Sequence, residues 1–250
     1  MFKIIFLYLL LIHILGDYYF QSDLLAKGKQ EHLSQVKKHG MIYAGICVLA
    51  MIPVLSRGMI LSGICLAVSH FVIDILKYHY IKKHFGKKKL SSEKERVIYL
   101  ADQSLHLFFA GIIAYIFTIN HGMIQLLMPF NTIFQTIGIS AYNIFTWVLI
   151  LLLIWKPANI TIKQLLSQCK PDDENGENSK KTGGFIGLLE RIVLLVFLSI
   201  GQYSAMGLVL TAKSIARYDK ISKSQEFAEY YLLGTLLSTA IVLIAYLLIY

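Results

Sequence analysis

From Gln103 to Trp155 the chain carries no Asp, Glu, Lys or Arg. A soluble fold cannot hold such a stretch, because its surface helices need a polar face. A bilayer can, since a crossing helix takes about 20 mainly apolar residues. The whole sequence agrees, with 56% hydrophobic and only 16% charged residues, where soluble domains carry about 25% charged. This excludes a soluble enzyme, a disordered tail and a fibrous protein. It predicts an all-α integral membrane protein, a polytopic helical bundle of about 6–8 transmembrane or re-entrant helices.

The apolar runs divide the chain into sections. Spans at 2–20, 41–56, 59–77 and 98–119 make a four-helix membrane core over 1–120. The first is read as a retained helix and not a signal peptide, because no small-x-small cleavage site follows it. The section 121–155 reads as an interrupted apolar segment at 121–137, punctuated by Pro129 and Gly138, plus a fifth span at 139–155. Residues 156–184 read as a polar cytoplasmic loop, with an acidic run at 171–178. The last section, 185–250, reads as a C-terminal membrane hairpin followed by a final span at 227–250.

The net charge of +9 is placed in short loops beside apolar runs. That is an orientation signal and not a nucleic-acid signal. Loop 21–40 holds Lys27, Lys29, Lys37 and Lys38, and loop 77–97 is richer still. Both are therefore placed in the cytoplasm, with the N-terminus outside and the basic loops against anionic lipids. Lys213, Arg217, Lys220 and Lys223 should also be inside, which a single crossing at 185–212 does not allow. An interrupted segment broken near Gly201–Gly207 is preferred over an interfacial helix or a plain crossing. Three scattered cysteines (Cys47, Cys65 and Cys169) offer neither a disulfide framework nor a zinc motif.

Three Asp residues fall inside the spans, each with a histidine four residues away: His13 with Asp17, His70 with Asp74, and Asp102 with His106. Positions i and i+4 share a helix face. Spans one and three run inward with His first, and span four runs outward with Asp first. The three His then share one depth and the three Asp another, about 6 Å away along the axes. Charged groups inside a membrane are costly unless paired or facing a wet cavity. Three matched pairs favour a divalent-metal or proton site over plain structural pairing. The metal ligands expected are His13, Asp17, His70, Asp74, Asp102 and His106, with Zn, Mn or Fe as the ion. Asp17, Asp74 and Asp102 are the catalytic candidates, one of them left free as general base. Gln21, His39, Lys77, Gln103 and Glu190 stand where they could hold the ligands in place.

The pattern His13-x2-Gly16-Asp17-x3-Gln21, His39, Ser69-His70-x3-Asp74-x2-Lys77 and Asp102-Gln103-x2-His106 resembles the bacterial membrane proteins catalogued as domain of unknown function 3307. The resemblance covers roughly residues 1–120, and later motifs around Glu190-Arg191, Gly201–Ala205 and Ala212–Arg217 are similar to the C-terminal part of longer members. It implies a multi-pass protein of the bacterial inner membrane and no particular activity. A His-x3-Asp element also ends the motifs of acid-phosphatase-type lipid phosphatases, but their Arg-rich first motif and Ser-Gly-His motif are missing. Three functions fit. One is a metal-dependent hydrolase of a lipid-linked substrate. The others are a proton- or metal-ion-coupled transporter and a non-catalytic membrane scaffold subunit.

Overall fold

The computed structural model describes residues 1–86, 90–121, 124–169, 171 and 177–250, with side chains for all of these except 121 and 177–182. The described residues are almost entirely helical. In chain order the helices are α1 (Phe2–Ile14), α2 (Asp23–Glu31), α3 (Leu33–Met51), α4 (Arg57–Phe85), α5 (Ser92–His121), α6 (Met128–Ile137), α7 (Ala141–Ile154), α8 (Lys156–Leu165), α9 (Glu177–Ser199), α10 (Tyr203–Ala216), α11 (Tyr218–Lys223) and α12 (Gln225–Ile249). Among the described residues, five helical segments are long and apolar enough to cross a membrane: Phe2–Tyr19, Arg57–Phe85, Ser92–Asn120, Ala141–Leu165 and Gln225–Ile249. The chain divides into two compact units, Met1–Leu149 and Ile150–Tyr250.

Three stretches expected as loops are largely helical, among them 77–97, where α4 runs on to Phe85 and α5 starts at Ser92. In 21–40, α2 and the first two turns of α3 replace the loop, and in 156–184 α8 and the start of α9 do so. All three carry strong polarity, so an apolar-run criterion passes over them, although α2 opens with a serine cap, Ser22 Oγ accepting from Leu25 N at 3.3 Å. The same cap starts α4 at Ser56 and α12 at Ser224. Most of the acidic run 171–178 lies outside the described residues.

In the first unit, α1, α3, α4 and α5 pack around a core with helical spacing. It contains Ile5, Leu9 and Ile12, then Tyr43, Cys47 and Met51, then Met59 and Leu66, then Ala110, Ala114 and Phe117. Small residues on α5 let the helices approach closely, as suits packing without a hydrophobic driving force. The outer face of α4 is Ile60, Ile64, Val68, Val72 and Leu76, all exposed and four residues apart. Ser62, His70 and Asp74 of the same helix are buried. Apolar residues outside and polar residues inside is the arrangement a lipid surround selects.

In the second unit, α9 ends in a tight turn. Gly201 takes φ +71° and Gln202 N donates to Phe197 O at 2.8 Å. Helix α10 then folds back, because Lys213 Nζ meets Glu190 Oε2 at 2.5 Å across positions about equally far from the turn. The apolar run 185–207 is thus interrupted at Ile200–Gln202 and forms a hairpin. Beside it, the chain breaks at Trp155 between α7 and α8, where φ is −90° and ψ −100°. This strands the last carbonyl of α7, and Arg191, 1% exposed, donates Nε to Ile154 O at 2.6 Å. Its other nitrogens reach Ser238 Oγ at 3.3 Å and Asn159 Oδ1 at 2.5 Å. Arg191→Met should destabilise the protein by about 1–3 kcal/mol, the cost of an unmade buried bond. Lys223→Ala, on an exposed turn, should stay within about 0.5 kcal/mol. Thermal unfolding in detergent reads both.

Candidate functional site

The first transmembrane helix does not end as a regular α-helix. Residues Leu15–Tyr19 form a π-helical turn, closed by Phe20 N donating to Leu15 O at 2.9 Å. Such one-residue expansions re-aim side chains and are frequent at functional sites. Here the turn presents Asp17 to α3, α4 and α5 at once. Gly16 makes this approach possible, because a Cβ there would sit 2.3 Å from Cδ2 of Tyr43.

Asp17 is the hub. Its Oδ1 lies 3.0 Å from His39 Nε2 and 2.9 Å from His70 Nε2. An ionised carboxylate only accepts, so both imidazoles donate from Nε2. Oδ2 accepts from Gln103 Nε2 at 3.2 Å and stands 3.8 Å from His13 Nε2. Gln103 in turn accepts at Oε1 from Tyr18 Oη at 2.9 Å and from His13 Nε2 at 3.1 Å, and reaches Asp102 Oδ2 at 3.4 Å. Tyr18 also meets Tyr99, Oη to Oη, at 2.9 Å.

The other two carboxylates are held by lysines. Lys29 Nζ bonds Asp74 Oδ2 at 3.0 Å, and Lys77 Nζ bonds Asp102 Oδ2 at 2.7 Å. Lys77 is also 3.6 Å from Asp74 Oδ1, so the charges alternate in a row. Three carboxylates therefore face two ammonium groups. With the imidazoles neutral, one negative charge is in excess, and Asp17 is the carboxylate whose hydrogen bonds come from imidazoles and an amide alone.

The imidazoles form a continuous group. His70 stacks on His106 at 4.2 Å between ring centroids and on Tyr43 at 3.6 Å, and His13 lies 4.9 Å from His106. Among the described residues, three sets of possible metal ligands have atoms within 4.8 Å of one another: His13, His70 and His106; Asp17, His39 and His70; and Asp17, Asp102 and His106. Ligands about 2.1 Å from a tetrahedral ion stand about 3.4 Å apart, so these sets need only small adjustment. Each of these residues but Asp17 and His13 also has a buried atom without a hydrogen-bond partner: Asp102 Oδ1, His106 Nε2, His39 Nδ1 and His70 Nδ1. Asp102 Oδ1 and His106 Nε2 are 3.6 Å apart. Buried polar atoms are seldom left unpaired, and strain, a catalytic role or a shared ion or water accounts for those that are.

The structure thus brings His13, Asp17, His70, Asp74, Asp102 and His106 into one centre, together with His39, Lys77 and Gln103. Gln21 Oε1 is buried without a hydrogen-bond partner. Glu190 belongs to the second unit, where Lys213 holds it. His32, His79 and His84 are exposed, while the side chain of His121 lies outside the described residues. Sequence reasoning misses Lys29, Tyr18, Tyr43 and Tyr99. Lys29 falls in a stretch that reads as a basic loop. The signal for it is Leu25 and Lys29 four apart after a serine cap, which makes them one face of a helix.

A family model described as protein of unknown function (DUF3307) matches residues 5–135, which holds all of the centre. No curated protein and no solved structure matches the chain.

Gly16→Ala should lower stability by about 1–3 kcal/mol, since overpacking forces Tyr43 off His70. The same change made in a Tyr43→Ala background should cost much less. A double-mutant cycle on thermal unfolding measures the difference.

Proposed function

We propose that this chain, which belongs to the family of unknown function just described, is a membrane-embedded, metal-dependent hydrolase acting on an ester or phosphate carried by a lipid. The observation that carries this reading is the pair of buried atoms Asp102 Oδ1 and His106 Nε2, 3.6 Å apart and without a hydrogen-bond partner, with Asp17 completing a ligand set. Zn, Mn or Fe suits these donors. A bound divalent ion supplies a water of lowered pKa.

The chain's own residues then have separate tasks. Asp17, Asp102 and His106 hold the ion, with His13 beside them. His39 and His70 fix the Asp17 carboxylate through Oδ1, and Gln103 ties Asp17 to Asp102. Lys77, at 23% exposed, is the more accessible of the two ammonium groups and sits against Asp102. It is placed to meet an anionic substrate group and to protonate a leaving oxygen. Lipid-facing apolar surface on α4 favours a substrate that arrives through the membrane. The N-terminus-outside orientation and a bacterial inner-membrane location are part of this proposal.

A second reading rests on the excess negative charge. One proton shared among four histidines around Asp17 brings the centre to neutrality without an ion, which is the arrangement of a proton-coupled transporter.

Elemental analysis of detergent-purified protein separates the two. The hydrolase reading expects about one ion per chain in wild type. It expects less than about a tenth of that in His106→Ala and Asp102→Asn that remain folded, with hydrolysis of phosphate esters in mixed micelles falling about 100-fold. Metal-free wild type after reloading with Zn or Mn, together with proton flux in liposomes that Asp17→Asn abolishes, would overturn it.

A further inference from the structure

Lys29 is an unusual partner for a membrane carboxylate. Its side chain is only 7% exposed, and it enters from a nine-residue helix, α2, and not from a crossing helix. Its ammonium sits 3.0 Å from Asp74 Oδ2. The same oxygen is 3.7 Å from His39 Nε2 and 3.9 Å from His70 Nδ1. His39 Nδ1, His70 Nδ1 and Asp74 Oδ1 are all buried without a hydrogen-bond partner. The ammonium therefore bonds a carboxylate that stands beside two imidazoles, a grouping of the same residue types as Asp17, Asp102 and His106 though with one carboxylate and not two. Asp17 joins the two, since it contacts His39 and His70 through Oδ1 and faces His13 and Gln103 through Oδ2.

We propose that Lys29 occupies a second cation subsite, formed by Asp74, His39 and His70, and that this tethered ammonium limits the protein to one bound divalent ion. The inference rests on the metal reading of the centre. Two physical arguments carry it. An ion on Asp74 needs to approach to about 2.1 Å, and the ammonium already covers that oxygen. A second divalent ion beside both lysines would also leave a buried site with strong excess positive charge, which a low-dielectric surround penalises. Removing the Lys29 charge, and keeping its bulk, frees the Asp74 oxygen and lowers the excess positive charge. The second subsite would take a divalent transition metal of the same class as the first, with Asp17 as the bridging carboxylate.

The test uses the full-length chain in detergent, reloaded with Mn2+ and freed of excess ion. Wild type, Lys29→Met and Lys29→Arg are compared by elemental analysis and by electron paramagnetic resonance. The expected result is one Mn per chain in wild type and Lys29→Arg, with the spectrum of isolated ions. Lys29→Met should hold two, with the spectrum of a spin-coupled pair. Should Lys29→Met fail to elute as a single folded species, Lys29→Gln, which keeps a polar head without charge, is measured in the same way. One isolated ion in every folded variant would overturn the inference and leave Lys29 a structural counterion. No ion in any of them would overturn the metal reading itself, and this inference with it.

Discussion

The Asp17 carboxylate has to be solvated by protein, because the helices around it face lipid. Everything in the first unit follows from that need. Four hydrogen-bonding groups from α1, α3, α4 and α5 reach its two oxygens, or come within a short distance of them. Each of those helices must therefore stop at one rotation and one depth. The π-helical turn supplies the angle, and Gly16 supplies the closeness, since its missing side chain is the space that Tyr43 fills. Tyr43 then carries the constraint onward by stacking on His70, which stacks on His106.

Gln103 plays a linking part that neither a lysine nor an ionised carboxylate could. An amide both donates and accepts, so it joins two carboxylates on one side to an imidazole and a phenol on the other. Replacing it by a charged group would upset a count of charges that stands one short of neutrality. The lysines complete that count from opposite directions, Lys77 along the crossing helix α4 and Lys29 from α2. The second unit solves a different problem with the same means. There the unmet group is a backbone carbonyl at the Trp155 break, and a fully buried guanidinium satisfies it. One unit gathers side-chain charge around a carboxylate, and the other repairs an interrupted helix.

Much of the centre is legible in the amino-acid sequence. The spacing of four between His and Asp puts each pair on one face, and the alternating direction of spans brings the pairs to matched depth. The break near Gly201 and the stop at Gly138 are legible as well, because both positions need a positive φ that glycine adopts freely. The helical character of 23–31 and 156–165 is not, because those segments are too polar for an apolar-run reading and too short for strong periodicity. Lys29 is hidden for the same reason. A lysine in a basic stretch looks like an orientation signal until the helix that carries it is seen to turn inward.

The amino-acid sequence by itself determined that this chain crosses a membrane as helices, and that His13, Asp17, His70, Asp74, Asp102 and His106 share faces of those helices. Composition and local spacing suffice for that, since they are properties of each segment alone. Only the tertiary structure decided which carboxylate stands at the centre, that His39 and Lys29 belong to it, and that Arg191 serves the backbone. Those outcomes depend on the rotation and approach of helices far apart in sequence, where a few tenths of an ångström separate a hydrogen bond from an empty contact.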